Sequence, residues 1–128
     1  MTHVLTNYLD STLDASSLSI NHTNIENFLP WGWNNFGEVI WYTTQLCNVS
    51  IKYLRIHNGT LELSVIHDAT ASLAQQQLFE LITTGLFQRS SKTCMMCGRF
   101  GQRRKLVEGK PALCGEHHIQ YINAISED

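Results

Sequence analysis

The sequence predicts an α+β fold: a small β-hairpin or sheet packed on helices, followed by a short knuckle, hairpin and helix unit at the C-terminus. Three observations predict it. Two runs of β-branched and aromatic residues flank Asn58-Gly59, apolar residues recur at helical spacing on either side of them, and Cys94-x-x-Cys97 is answered by Cys114-x-x-His117.

The first twenty residues read as a short helix or an extended arm, because Val4, Leu5, Tyr8, Leu9 and Leu13 lie near helical spacing among serines that weaken helix. Thr23-x-x-Glu26 has capping-box form, and Pro30 must stop the resulting turns at about Leu29. A helix over about 33–47 follows, with Phe36, Val39, Ile40, Thr43 and Cys47 on one face and Asn35-x-x-Glu38 as its cap. Residues 49–57 form a strand, Asn58-Gly59 supplies the positive φ angles of a type I′ turn, and residues 60–66 return. Ala74, Leu78, Leu81, Ile82 and Leu86 then mark a helix over about 70–89, with Ser72-x-x-Gln75 able to cap it. So small a sheet must bury its apolar face on these helices. Ser90-Ser91 divides the chain into a core of residues 1–90, with an N-terminal arm over about 1–22, and a finger of residues 91–128.

The finger carries the chemistry. Gly98, just past Cys97, lets the backbone turn and aim amides at two sulfurs. Residues 99–107 can form a β-hairpin arm, with 108–111 as its turn, and Cys114 then opens the last helix. A residue three positions on lies on the same helical side, so His117 completes a set spaced C-x2-C-x16-C-x2-H, with His118 its rival. Three thiolates and an imidazole are ligands for one structural zinc ion, and the order of parts is that of a treble clef. Four protein ligands leave no place for a catalytic water, and no Ser/His/Asp set or carboxylate pair stands out, so a non-enzymatic protein is expected. Cys47 reads as a buried small hydrophobe.

Composition limits the classes. A chain of 128 residues with 43% hydrophobic content suits a single small globular unit. No apolar run approaches the roughly 18 to 20 residues of a membrane span, and the N-terminus lacks the basic start of a signal peptide, so a cytoplasmic protein with reduced thiols is expected. The net charge is only −2, yet residues 1–51 hold Asp10, Asp14, Glu26 and Glu38 without one Lys or Arg. Arg99, Arg103, Arg104, Lys105 and Lys110 crowd the finger instead. Such asymmetry bears on partners through long-range fields.

Gly32-Trp33 opening a helix, Gly59-Thr60-Leu61 in a hairpin, then Cys94-x-x-Cys97-Gly98-x-x-Gly101-x-x-Arg104 and Leu113-Cys114-x-x-His117 together resemble a family. It is a group of small, mostly uncharacterised bacterial and phage proteins common on mobile elements. Taken with the small size, the lack of catalytic groups and the acidic, aromatic-rich N-terminal half, the resemblance points to a zinc-stabilised inhibitor, of the kind that neutralises a cognate toxin as an immunity protein, or a phage protein that blocks a host defence complex. An acidic face with Asp10, Asp14, Glu26, Glu38, Trp31 and Trp41 would meet a basic partner, and Trp is a favoured interface residue. From another class, Arg99, Arg103, Arg104, Lys105 and Lys110 could bind nucleic acid, with Phe100 stacking on a base. The sequence leaves monomer or dimer open.

Overall fold

A computed structural model describes residues 10–15 and 20–126. It is an α+β fold of four helices, a three-stranded antiparallel sheet and a two-stranded one among those residues. The reading of residues 1–9 as a helix or arm lies outside the described residues. At Asp10–Asp14 the chain is an edge strand, β1, paired antiparallel to Val49–His57, β2, with Asp10 opposite His57 and Asp14 opposite Tyr53. Neither half of the expected helix-or-arm reading foresaw this pairing. The free edge of β2 recruits a segment whose own composition favours turns.

Helix α1, His22–Phe28, is capped by Asn21, whose side chain accepts from the Asn24 N–H at 2.9 Å. The expected cap at Thr23 is therefore corrected by two residues. The chain turns extended at Leu29, before Pro30, as the proline demands. A single 3-10 turn, Trp31–Trp33, leads into α2, Asn34–Cys47, which has no side-chain cap; the Asn35-x-x-Glu38 cap does not form. Phe36, Ile40, Thr43 and Cys47 are buried as expected, whereas Val39 faces outward. Asn48, in the left-handed conformation at φ 59°, ends α2 and turns it into β2.

Strand β3, Thr60–His67, pairs antiparallel with β2 from Val49 opposite His67 to His57 opposite Thr60. Asn58 and Gly59 both take positive φ, 51° and 75°, as a type I′ turn requires. Along β2, Val49, Ile51, Leu54 and Ile56 point into the core, with a register shift between Ile51 and Tyr53 that restores the alternation.

Helix α3, Leu73–Ser90, opens on the expected capping box: Ser72 Oγ accepts from Gln75 N and Gln75 Oε1 from Ser72 N. Its buried face is turned from the expected one, of which only Leu86 is buried and Ile82 half-buried. Phe79, Thr83, Leu86 and Ser90 are buried, while Ala74, Leu78 and Leu81 are exposed, Leu81 at 73%. Phe79 seats edge-on to His67 at 5.7 Å and packs with Cys47 and Val49, which turns that side of the helix inward. Thr83 can follow it inward because its hydroxyl donates to the Phe79 carbonyl at 2.8 Å.

Gly85 lies in the interior of α3, and a methyl group there would meet nothing within 4 Å. Gly85→Ala should therefore stabilise the protein by roughly 0.5–1 kcal/mol through helix propensity. A thermal melt should rise by a few degrees.

Ser90 is fully buried rather than a linker residue: its hydroxyl accepts from Leu61 N at 3.0 Å and donates to the Phe87 carbonyl at 2.7 Å. Beyond it, one hydrophobic cluster joins Trp33, Leu54, Ile56 and Leu61 to Met95, Ala112 and Leu113. The finger itself is β4, Gln102–Arg103, paired with β5, Ala112–Leu113, then α4, Gly115–Ser126. The expected arm over 99–107 is thus shorter, two residues per strand with 104–111 between them, and its turn falls at Gly109 and Lys110, both of positive φ. Among the described residues, no helix is long and apolar enough to cross a membrane.

Candidate metal centre

Cys94 and Cys97 sit on the knuckle after α3, Cys114 follows β5, and His117 lies in the first turn of α4. Their donor atoms all lie within 4.8 Å of one another. The spacing of the donors fits a tetrahedral ion. Metal–sulfur bonds of about 2.3 Å and metal–nitrogen bonds of about 2.0 Å place sulfurs about 3.8 Å apart, and sulfur about 3.5 Å from nitrogen. Cys97 Sγ is 3.8 Å from Cys114 Sγ, and His117 Nδ1 is 3.5 Å from Cys94 Sγ and 3.2 Å from Cys114 Sγ. All four cysteines are free thiols, and 3.8 Å is far beyond a disulfide bond.

The backbone is arranged for thiolates. Gly98, at φ 82°, folds the knuckle back so that its N–H donates to the Cys94 carbonyl at 2.9 Å. Burial pushes the Cys94 thiol up, against hydrogen bonds from the N–H groups of Cys114, Cys97 and Met96. At Cys114 burial also works upward, but hydrogen bonds from the His117 backbone and ring and from Cys94 and Cys97 prevail and bring it down to about 7. Amides converging on sulfur are the usual outer support of a thiolate–metal centre. Cys94 and Cys114 are buried, and Cys97 is half-buried at the edge of a cleft.

The two histidines face different surroundings. His117 points its Nδ1 at the sulfurs, whereas His118 faces a cleft of about 710 Å³ beside Arg103, Arg104, Leu106, Val107 and Ile122. His117→Ala should lose the metal, and His118→Ala should keep about one ion per chain by elemental analysis. Equal retention in both variants would exclude His117.

The knuckle is also clamped from the core. Gly32 donates its N–H to the Met95 carbonyl at 2.8 Å, and Trp33, fully buried, donates Nε1–H to the Thr93 carbonyl at 2.9 Å. Gly59, at the tip of the β2–β3 hairpin, presses against Lys110 and Ala112 across the base of the finger. The Gly-Trp pair and the Gly-Thr turn of the sequence pattern thus both help to seat the finger on the core.

The residues expected to bind partners are dispersed. Trp31 is 71% exposed, but Trp41 is half-buried beneath His22, the rings stacked at 6.2 Å. Asp10 Oδ1 lies 3.0 Å from His57 Nδ1, and Glu26 Oε1 lies 2.8 Å from His22 Nε2. Asp14 is on the exposed edge strand with Asp10, and Glu38 of α2 adjoins His22 and Glu26 of α1, so these acids fall in two small groups.

The basic residues divide as well. Arg103 donates Nε–H to the Asn58 carbonyl at 2.7 Å and ties the finger to the β2–β3 turn, while Arg104 donates to the Leu113 carbonyl at 3.1 Å within the finger. Arg99 reaches Glu116 at 4.0 Å, and Lys105 and Lys110 are exposed. Nothing in the sequence singles out Arg89, in the last turn of α3, where a basic residue is ordinary helix chemistry. It lines the same cleft as Trp31 and Cys97, of about 410 Å³. No family model, curated protein or solved structure matches the chain.

Proposed function

We propose that this chain is a zinc-stapled binding protein without a catalytic centre, an inhibitor that neutralises a partner protein by covering it. The observation that carries this reading is the Cys3His cluster, whose four donor atoms lie within 4.8 Å of one another with Cys94 and Cys114 buried. Zinc suits that donor set, and a closed tetrahedron serves folding rather than activation of water. Bound zinc would hold the knuckle and the start of α4 together, while the chain's own amides keep the thiolates aimed.

The mobile-element pattern of motifs makes a cognate bacterial toxin the first partner, in the manner of an immunity protein, and a host defence component the second. The test is direct. The chain, co-expressed with the product of the neighbouring gene, should suppress its toxicity and co-purify with it in a fixed ratio. Continued toxicity together with absence of a complex would remove this reading.

Nucleic-acid binding through the finger is the second reading, favoured by exposed Lys105, Lys110 and Phe100. Arg103 and Arg104 support it less, since they are occupied by carbonyls. A Lys105→Glu, Lys110→Glu double variant should abolish a salt-dependent shift of labelled DNA or RNA if that surface carries binding.

A further inference from the structure

We infer that a second surface, formed by Trp31, Arg89, Lys92 and Phe100, is a site for a short single strand of nucleic acid, two bases stacking on two rings with the phosphate chain between them on the cations. It goes beyond the inhibitor reading and uses none of the finger residues that the sequence suggested except Phe100.

Two clefts adjoin here. One, of about 410 Å³, is lined by Trp31, Asn35, Val39 and Leu86 over the Cys97–Gly98 knuckle; the other, of about 350 Å³, by Gln88, Lys92 and Phe100. Arg89 and Thr93 line both and form the wall they share. Neither cleft contains an Asp or a Glu, in a chain whose net charge is negative. Arg89 and Lys92 are the charged side chains that line the two clefts and favour a polyanion, outweighing by one the single net negative charge that three thiolates and an imidazole would carry on a zinc ion beside Cys97.

Each cleft holds one large exposed aromatic ring, Trp31 at 71% exposure and Phe100 at 73%. Rings that open to water beside cations are the parts of a stacking platform, where every base offers a π-face and phosphates follow the positive strip. A paired duplex hides those faces. An acidic protein segment would answer Arg89 and Lys92 but leave the ring faces without planar partners.

Both rings are mounted on rigid backbone. Trp31 precedes Gly32, whose N–H is bound to the Met95 carbonyl, and Phe100 is bridged to Thr93 next to the Arg99 carbonyl that accepts from Cys94 N at 2.7 Å. The metal knuckle thus fixes both ends of the platform, and little ordering remains to be lost on binding.

The experiment is fluorescence anisotropy with metal-loaded protein and fluorescein-labelled oligothymidylate and oligouridylate of about 12 nucleotides, starting at about 50 mM salt. Binding should weaken steadily with added salt. Trp31→Ala and Phe100→Ala should each cost about 10-fold in affinity, and Arg89→Ala should reduce the salt slope by about 1. Metal content and melting temperature should stay at wild-type values in the two ring variants, since both side chains project into solvent. Any of three results would overturn the site: no binding of either oligomer at low salt, unchanged affinity in both ring variants, or tighter binding of a labelled poly-glutamate peptide or a duplex of equal length.

Discussion

Cys94→Ser is expected to release the metal and unfold the chain throughout, not only in the finger. Structural zinc in small sites contributes on the order of 10 kcal/mol near neutral pH, comparable with the roughly 5–15 kcal/mol that holds a typical domain folded. Here that contribution cannot remain local. Cys94, Met95, Ala112, Leu113 and Cys114 share one buried cluster with Trp33, Ile40, Leu54 and Ile56, so disordering the knuckle opens the floor of the sheet. Chelation of the wild-type protein should give the same result. Circular dichroism should show the loss of helix and elemental analysis the loss of about one zinc per chain. Cys47→Ala, away from the cluster, should keep the ion and cost only a small cavity. Full retention of metal by Cys94→Ser would mean that the ligands are other residues.

Gly32→Ala should be the most damaging single methyl group in the protein. Its Cβ would stand 2.0 Å from the Cys94 carbonyl oxygen and 2.7 Å from both Gly98 N and Met95 C, all backbone atoms that cannot swing aside. The turn carrying Trp31–Trp33 would have to withdraw from the knuckle, breaking the Gly32 N to Met95 O bond and pulling Trp33 Nε1 from the Thr93 carbonyl. Overpacking costs about 1–3 kcal/mol, and each buried polar group left unpaired adds about 1–3 kcal/mol more. A fall of roughly 3 kcal/mol or more is expected, with weaker retention of metal against a chelator. Gly85→Ala makes the contrast, since the same methyl group there meets open space. A wild-type melting curve for Gly32→Ala would show that the turn and the knuckle do not pack as described.

Several elements were legible in the sequence because the chemistry that makes them is local. Asn58-Gly59 names its turn, since those two residues tolerate the φ angles of 51° and 75° they adopt. Ser72 and Gln75 name the start of α3. Cys114 and His117 could be paired in advance because three helical residues return a side chain to the same side. The misplaced features have the opposite character. Thr23 lost its capping role to Asn21 two residues earlier, as helix termini compete over short distances. Leu78 and Leu81 were as apolar as Phe79 on paper, and only the shape of the pocket by Cys47, Val49 and His67 turned Phe79 inward. Arg103 and Arg104, which resembled a nucleic-acid contact, are held by the Asn58 and Leu113 carbonyls. Nothing in their neighbours along the chain signals those acceptors.

The sequence by itself determined the hairpin, the helical segments and the four donors, because covalent spacing and backbone preference act within a few residues. Tertiary structure alone decided that Asp10–Asp14 pairs with β2, that Gly32 packs on the knuckle and Gly59 on the finger hairpin, and that Arg89 stands in the wall shared by the clefts of Trp31 and Phe100. Those outcomes depend on which surfaces remain to be covered once the elements meet, and that is a property of the packed whole.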